Sequence, residues 1–126
     1  MENNLKTAVG YIRTASLETN AEEIIKIRKE EISSFCTKQG ILIEKIIEDR
    51  GSSAFSPLVT RFGGGMLVDY ILNGEITCIV VKDLLDLGRD SEELLCLMKM
   101  IEEKGILLID LSIVGRERGI LNLCKI

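Results

Sequence analysis

The sequence predicts an α/β domain: three layers, with a mostly parallel sheet of four to five strands between helices. Three observations predict it. Short, nearly continuous apolar runs of the kind that buried parallel strands show recur at 6–13, 41–48, 76–81 and 106–111. The segments between them carry helix-start and helix-stop residues around stretches with helical spacing. The connections are short, and a β-α-β-α-β-α-β order with short connections argues parallel strands joined by crossover helices. At 126 residues the chain is a single domain, 1–126, long enough to bury its own core.

The first strand, 6–13, is read from Ala8-Val9-Gly10-Tyr11-Ile12-Arg13 and runs into the small residues Thr14, Ala15 and Ser16. A helix begins at Asn20, with Glu23 in capping-box spacing. Ile24, Ile25, Ile32, Phe35 and Cys36 form its apolar face, and Gly40 is its C′ residue. Lys26, Arg28, Lys29, Glu30 and Glu31 make its solvated side. The second strand, 41–48, leads into a loop from Asp49 through the only proline, Pro57. A helix over 64–72 closes at Asn73-Gly74, and the run Gly63-Gly64-Gly65 reads as a permissive helix start. The third strand, 76–81, ends in Lys82 and Asp83, and the loop to Asp90 carries Arg89. Asp90 and Glu93 repeat the capping-box spacing for a helix over 91–104, ended by Gly105. The strand 106–111 completes the pattern, and nothing assigns 112–126 to an element.

Composition removes several chemistries. There is no histidine, which excludes Ser-His and Cys-His catalysis and most transition-metal sites. Cys36, Cys78, Cys96 and Cys124 show no C-x-x-C pair, so they read as reduced, mostly buried thiols. Asp83, Asp86 and Asp90 share a loop, but Asp90 is better explained as a helix cap, so no metal is expected. The triple glycine lacks the pattern of a phosphate loop, and no cofactor is expected. No apolar run spans a bilayer and the first residues are no signal peptide, so the default compartment is the cytoplasm, with no membrane partner.

Ligands of open α/β sheets gather at the carboxyl ends of the strands. Here that edge is predicted to receive Arg13, Lys82 and Arg89, a set of cations suited to an anion. The formal net charge of −4 argues against a domain that grips DNA alone. Contact with nucleic acid would need local cationic clusters or a partner that supplies them. Bland readings stand beside these: strand-end cations are often only solvated, and Lys82 with Asp83 would form an exposed pair of little energetic weight.

Four stretches together resemble the catalytic domain of the serine recombinases, the resolvase and invertase family. They are Gly10-Tyr11-Ile12-Arg13, Glu48-Asp49-Arg50-Gly51-Ser52-Ser53, Arg61-Phe62-Gly63 with Met66-Leu67, and Ile79-Val80-Val81-Lys82-Asp83-Leu84 followed by Leu87-Gly88-Arg89-Asp90. The resemblance implies a resolvase-like fold and a site in which a serine attacks a DNA phosphodiester while arginines stabilise the transition state, without metal or cofactor. It assigns Arg13, Arg50, Arg61 and Arg89 to catalysis, and Arg13, Arg50, Lys82 and Arg89 to DNA phosphate. It also implies a homo-oligomer, or a hetero-oligomer with another recombinase. The long C-terminal helix and the DNA-binding domain of the family are not expected within these residues.

Two positions depart from the pattern. Where the family reads Tyr-x-Arg-x-Ser, this chain reads Tyr11-Ile12-Arg13-Thr14-Ala15, with alanine at the nucleophile position. Ser16 comes one residue late, which on an extended strand points it to the opposite face. A cap or turn hydroxyl is its simpler reading; a displaced nucleophile is the sharper one. The second departure is Leu85-Asp86, where the family carries an arginine. A carboxylate about 4 Å from a phosphate charge repels it by up to about 4 kcal/mol at an effective dielectric of about 20. The resulting expectation is a recombination-family domain with impaired cleavage that acts as an interaction or regulatory module. Its rivals are an active recombinase domain using Ser16, and a flavodoxin-like phosphate or nucleotide binder.

Overall fold

A computed structural model describes residues 6–15, 20–51, 56–89 and 91–113. Its elements are β1 (Lys6–Arg13), α1 (Ala21–Gln39), β2 (Ile41–Asp49), α2 (Phe62–Asn73), β3 (Cys78–Val81), α3 (Ser91–Glu103) and β4 (Leu107–Asp110), with short 3₁₀ turns at Leu58–Thr60 and Leu84–Asp86. The four strands form one sheet in the order β2-β1-β3-β4. Every pairing is parallel. The α/β expectation holds, with four strands among the described residues.

Alternating side chains divide the core between the two faces of the sheet. Val9, Tyr11, Ile79, Val81 and Leu108 pack with Leu67 and Ile71 of α2 and Leu97 and Ile101 of α3. Ala8, Ile12, Cys78, Val80 and Ile109 pack with Ile25, Ile32 and Cys36 of α1. At Gly10 the helix comes so close that a Cβ would lie 3.2 Å from Ile32 Cγ2. Gly40 ends α1 with φ 71°, the left-handed conformation that glycine adopts without a Cβ clash.

One irregularity decides what reaches the site. Ala8 pairs with Ile43, but Val9 pairs with Lys45, so β2 holds one extra residue there. A one-residue slip exchanges the faces of everything beyond it. Ile41, Ile43 and Ile46 accordingly lie on the α1 side. Ile47 crosses to the α2 side, among the neighbours of Tyr11. Asp49 follows Ile47 in the alternation and meets the Tyr11 hydroxyl.

Several boundaries and caps differ from expectation. Asn20 sits at the N-cap of α1 but its side chain makes no cap hydrogen bond; only its carbonyl accepts, from Ile24 N at 3.1 Å. Helix α2 begins at Phe62, two positions before the expected 64, and β3 begins at Cys78 rather than 76. Thr77 nonetheless hydrogen-bonds β1 through Thr7 O at 2.8 Å, so the sheet contact starts before the strand proper. Cys36 and Cys78 are buried as expected, whereas Cys96 is exposed. Burial and the neighbouring Cys78 push the Cys36 thiol up to about 11, which keeps it protonated. Ser16, Ser52, Ser53, Asp90, Cys124 and most of the tail lie outside the described residues. Among the described residues no helix is long and apolar enough to cross a membrane, and no cluster of acidic and sulfur side chains could hold a metal ion.

Candidate functional site: a self-neutralised rim

Parallel pairing places the carboxyl ends of β1 and β2 side by side, with Arg13 opposite Asp49. The turn after β3 comes to the same edge, since Arg61 bridges Tyr11 of β1 to the Asp86 carbonyl in that turn. Two buried aspartates anchor this rim in different ways.

Asp49 is 4% exposed. Its Oδ2 accepts from the Tyr11 hydroxyl at 2.6 Å and its Oδ1 from the Gly63 backbone N–H at 2.5 Å. The close approach needs glycine at 63, because a Cβ there would lie 2.8 Å from Asp49 Oδ1. Gly63 and Gly64 at the start of α2 are therefore close-contact positions, which reading the run as a permissive helix start did not capture. Arg61 completes the network: Nη1 donates to the Tyr11 hydroxyl at 2.9 Å and to the Asp86 carbonyl at 2.6 Å, and Nη2 donates to the Ser56 carbonyl at 3.0 Å. Burial, then the hydrogen bond to Asp49, drives the Tyr11 hydroxyl far above its ordinary range against the opposing pull of Arg61, so it stays protonated as a donor. Arg61 thus braces the rim from inside.

Asp86, 6% exposed, is held by charge alone on one side. Arg13 Nε lies 3.7 Å from Oδ1, and Arg28 Nη1 of α1 lies 4.0 Å from Oδ2, an oxygen with no hydrogen-bond partner. Burial is the main cause that raises its carboxyl to about 6, with Asp83 adding to the rise and Arg13, Arg28 and Arg61 opposing it. Arg28, expected on the solvated side of its helix, instead turns toward this carboxylate.

Other cations of the edge also meet acids of the same chain. Arg50 Nη2 donates to Glu48 at 2.9 Å, and its Nη1 contacts Glu22. Lys29 pairs with Glu48 at 2.6 Å. Lys82 pairs with Glu31 at 3.4 Å rather than with Asp83, whose carboxylate accepts from the Leu85 N–H at 2.9 Å. Arg89 is exposed on the loop before α3, and Ala15 is exposed just past β1. Thr14 is buried, with its N–H donating to the Asp49 carbonyl at 3.0 Å and its hydroxyl accepting from Gly51 at 3.3 Å. The edge therefore gathers the predicted Arg13, Arg50 and Arg61, while Ser16 lies outside the described residues. Sequence reading missed the anions: Glu22, Glu31 and Glu48 sit in mixed-charge helix and strand segments whose spacing does not reveal which cation each will face.

A parallel sheet in this order is common to many doubly wound α/β domains, so the family has to be shown by the sequence. Residues 8–119 match the family described as "Resolvase, N terminal domain", and the chain belongs to that family. Its fold is similar to the N-terminal catalytic domain of TP901-1 integrase, at 20% identity and TM-score 0.71 over 85% of this chain and 78% of that one. It is also similar to the C-terminal catalytic domain of ISC1926 TnpA, an IS607-like serine recombinase, at 15% identity and TM-score 0.73 over 84% and 70%. A resolvase family site-specific recombinase from Streptococcus pneumoniae matches at 16% identity and TM-score 0.67 over 83% and 71%. These likenesses are of fold. No curated protein sequence matches the chain. Family membership replaces the flavodoxin-like alternative.

Proposed function

We propose that this serine recombinase domain has lost strand cleavage and acts as an interaction or regulatory module that pairs with a cleaving recombinase on DNA. The observation that carries the reading is the Asp86 carboxylate between Arg13 and Arg28. Phosphoryl transfer to a serine needs an attacking hydroxyl and preorganised cations aimed at the charge that develops on phosphorus oxygens. At this rim an internal anion already faces two of the guanidinium groups. Ala15, at the position where the family has its serine, offers no nucleophile.

Three other described cations near the rim support the same reading. Arg50, Lys29 and Lys82 are paired with Glu22, Glu48 and Glu31. With a net charge of −4, little uncompensated attraction for a polyanion is left. Binding to DNA then comes through the partner's cations, and the domain's own contribution is protein contact.

The test is a covalent-adduct assay on supercoiled plasmid, resolved under denaturing conditions, together with the oligomeric state by light scattering. The expected result is no protein–DNA adduct and a dimer, or a stable complex with a co-expressed recombinase. An adduct formed by the wild type and lost in Ser16→Ala would overturn the reading in favour of a displaced nucleophile. A monomer with no recombinase contact would remove the interaction role.

A further inference from the structure

The buried acids of this chain are not equivalent. Asp49 places both carboxylate oxygens in short hydrogen bonds. Asp110 accepts from the Leu84 N–H at 3.0 Å and from the Ser112 N–H and hydroxyl at 2.8 and 2.6 Å. Asp86 Oδ2 is enclosed without a hydrogen bond and has Arg28 Nη1 at 4.0 Å, while Arg13 Nε stands 3.7 Å from Oδ1, both longer than a direct bond. A carboxylate in that position has lost its hydration and regained little of it.

The two guanidinium groups converge on this point from different elements, Arg13 from β1 and Arg28 from α1. Both side chains keep a solvent-facing part, 14% and 29% exposed. Guanidinium groups converging on one point are suited to a tetrahedral oxyanion, because each presents forked donors to its oxygens. Here the chain's own carboxylate is the anion at that point.

We propose that Asp86 is a removable counter-ion: protonating it lets Arg13 and Arg28 receive an external tetrahedral oxyanion of the phosphate type. This rests on the non-cleaving reading of the rim and describes how that rim is regulated. The charged groups that face Asp86 are Arg13 from β1, Arg28 from α1, Arg61 at the start of α2 and Asp83 in its own turn. With the carboxyl titrating at about 6, the charged form that blocks the site dominates at pH 8 and the neutral form at pH 5. The open fraction rises from about 1% to about 90% across that interval, so apparent oxyanion affinity rises by roughly ninetyfold.

Sulfate is the probe, because it stays a dianion across this range and only the protein titrates. Calorimetric titration of the full chain at constant ionic strength is expected to show sulfate binding that tightens by roughly ninetyfold from pH 8 to pH 5. Asp86→Asn is expected to bind sulfate with nearly the same affinity at both pH values, matching the wild type at pH 5. Arg28→Gln, which removes one of the two converging cations, is expected to weaken binding at pH 5 by about tenfold, the loss of one charge-assisted contact. Equal wild-type affinity at pH 5 and pH 8, or an Asp86→Asn variant no tighter than wild type at pH 8, would overturn the proposal. A short DNA duplex showing the same pH dependence assigns the site to backbone phosphate; a response to sulfate alone assigns it to a free anion. The two readings fail separately: a covalent DNA adduct would end the non-cleaving reading and leave the sulfate response intact, and a flat sulfate response would do the reverse.

Discussion

Asp49 and Asp86 lie on the same edge of the sheet and are buried to nearly the same degree, 4% and 6% exposed, yet their surroundings are opposite. Around Asp49 each charge or dipole meets a matched partner: the Tyr11 hydroxyl at 2.6 Å, the Gly63 N–H at 2.5 Å, and Arg61 fixing the tyrosine from the other side. Around Asp86 the charged partners stand 3.7 and 4.0 Å away, and one oxygen has no hydrogen bond. Burial costs a carboxylate its hydration in either place, but only hydrogen bonds of good geometry restore it. The first network holds the fold together, whereas the second holds a charge in place at a cost to stability.

The largest expected effect breaks the satisfied side of this comparison. Asp49→Ala leaves the Tyr11 hydroxyl and the Gly63 N–H without their acceptor inside the domain, and is expected to destabilise it by about 3–5 kcal/mol, read from urea unfolding at pH 7.5. Asp86→Asn acts in the opposite direction. Its wild-type carboxyl titrates near 6 in the native state, against 3.8 when unperturbed. Because the folded value is the higher one, the native state binds the extra proton. Stability from this group is complete below the unperturbed value and is lost as pH rises through about 6. The neutral carboxamide avoids that loss, so Asp86→Asn is expected to stabilise by up to about 3 kcal/mol at pH 7.5 and by nearly nothing at pH 3. A pH series of urea midpoints for the two proteins checks it; parallel curves would mean that Asp86 is not the group responsible. The smallest effect comes from Tyr11→Phe, which removes one hydroxyl and leaves the Gly63 contact to Asp49 in place. It is expected to cost about 1–2 kcal/mol by the same measurement.

These two aspartates also mark the boundary of what sequence reading reached. Asp86 stood out because a carboxylate replaced an expected arginine, but its burial and its pairing with Arg28 were not visible. Asp49 lay in a stretch read only as a loop residue of the family pattern, and its partnership with Tyr11 depends on the extra residue in β2. That bulge leaves no mark on an apolar run, since Ile41, Ile43, Ile46 and Ile47 are equally suited to either face of a doubly covered sheet. The expected capping box at Asn20 failed for a related reason: spacing permits a side-chain cap but does not make it.

By itself the sequence determined the α/β class, the order of strands and helices, the left-handed glycine at the end of α1, and the resemblance to a recombinase domain. The first three follow from local rules, namely the periods of strand and helix and the few residues that start or stop them, while the resemblance rests on the four motif stretches. Tertiary structure alone decided which cation meets which anion at the rim, and that Gly63 rather than a turn residue receives Asp49. Such contacts join side chains from distant parts of the chain, and long flexible charged side chains on neighbouring elements offer several pairings of similar energy until packing selects one.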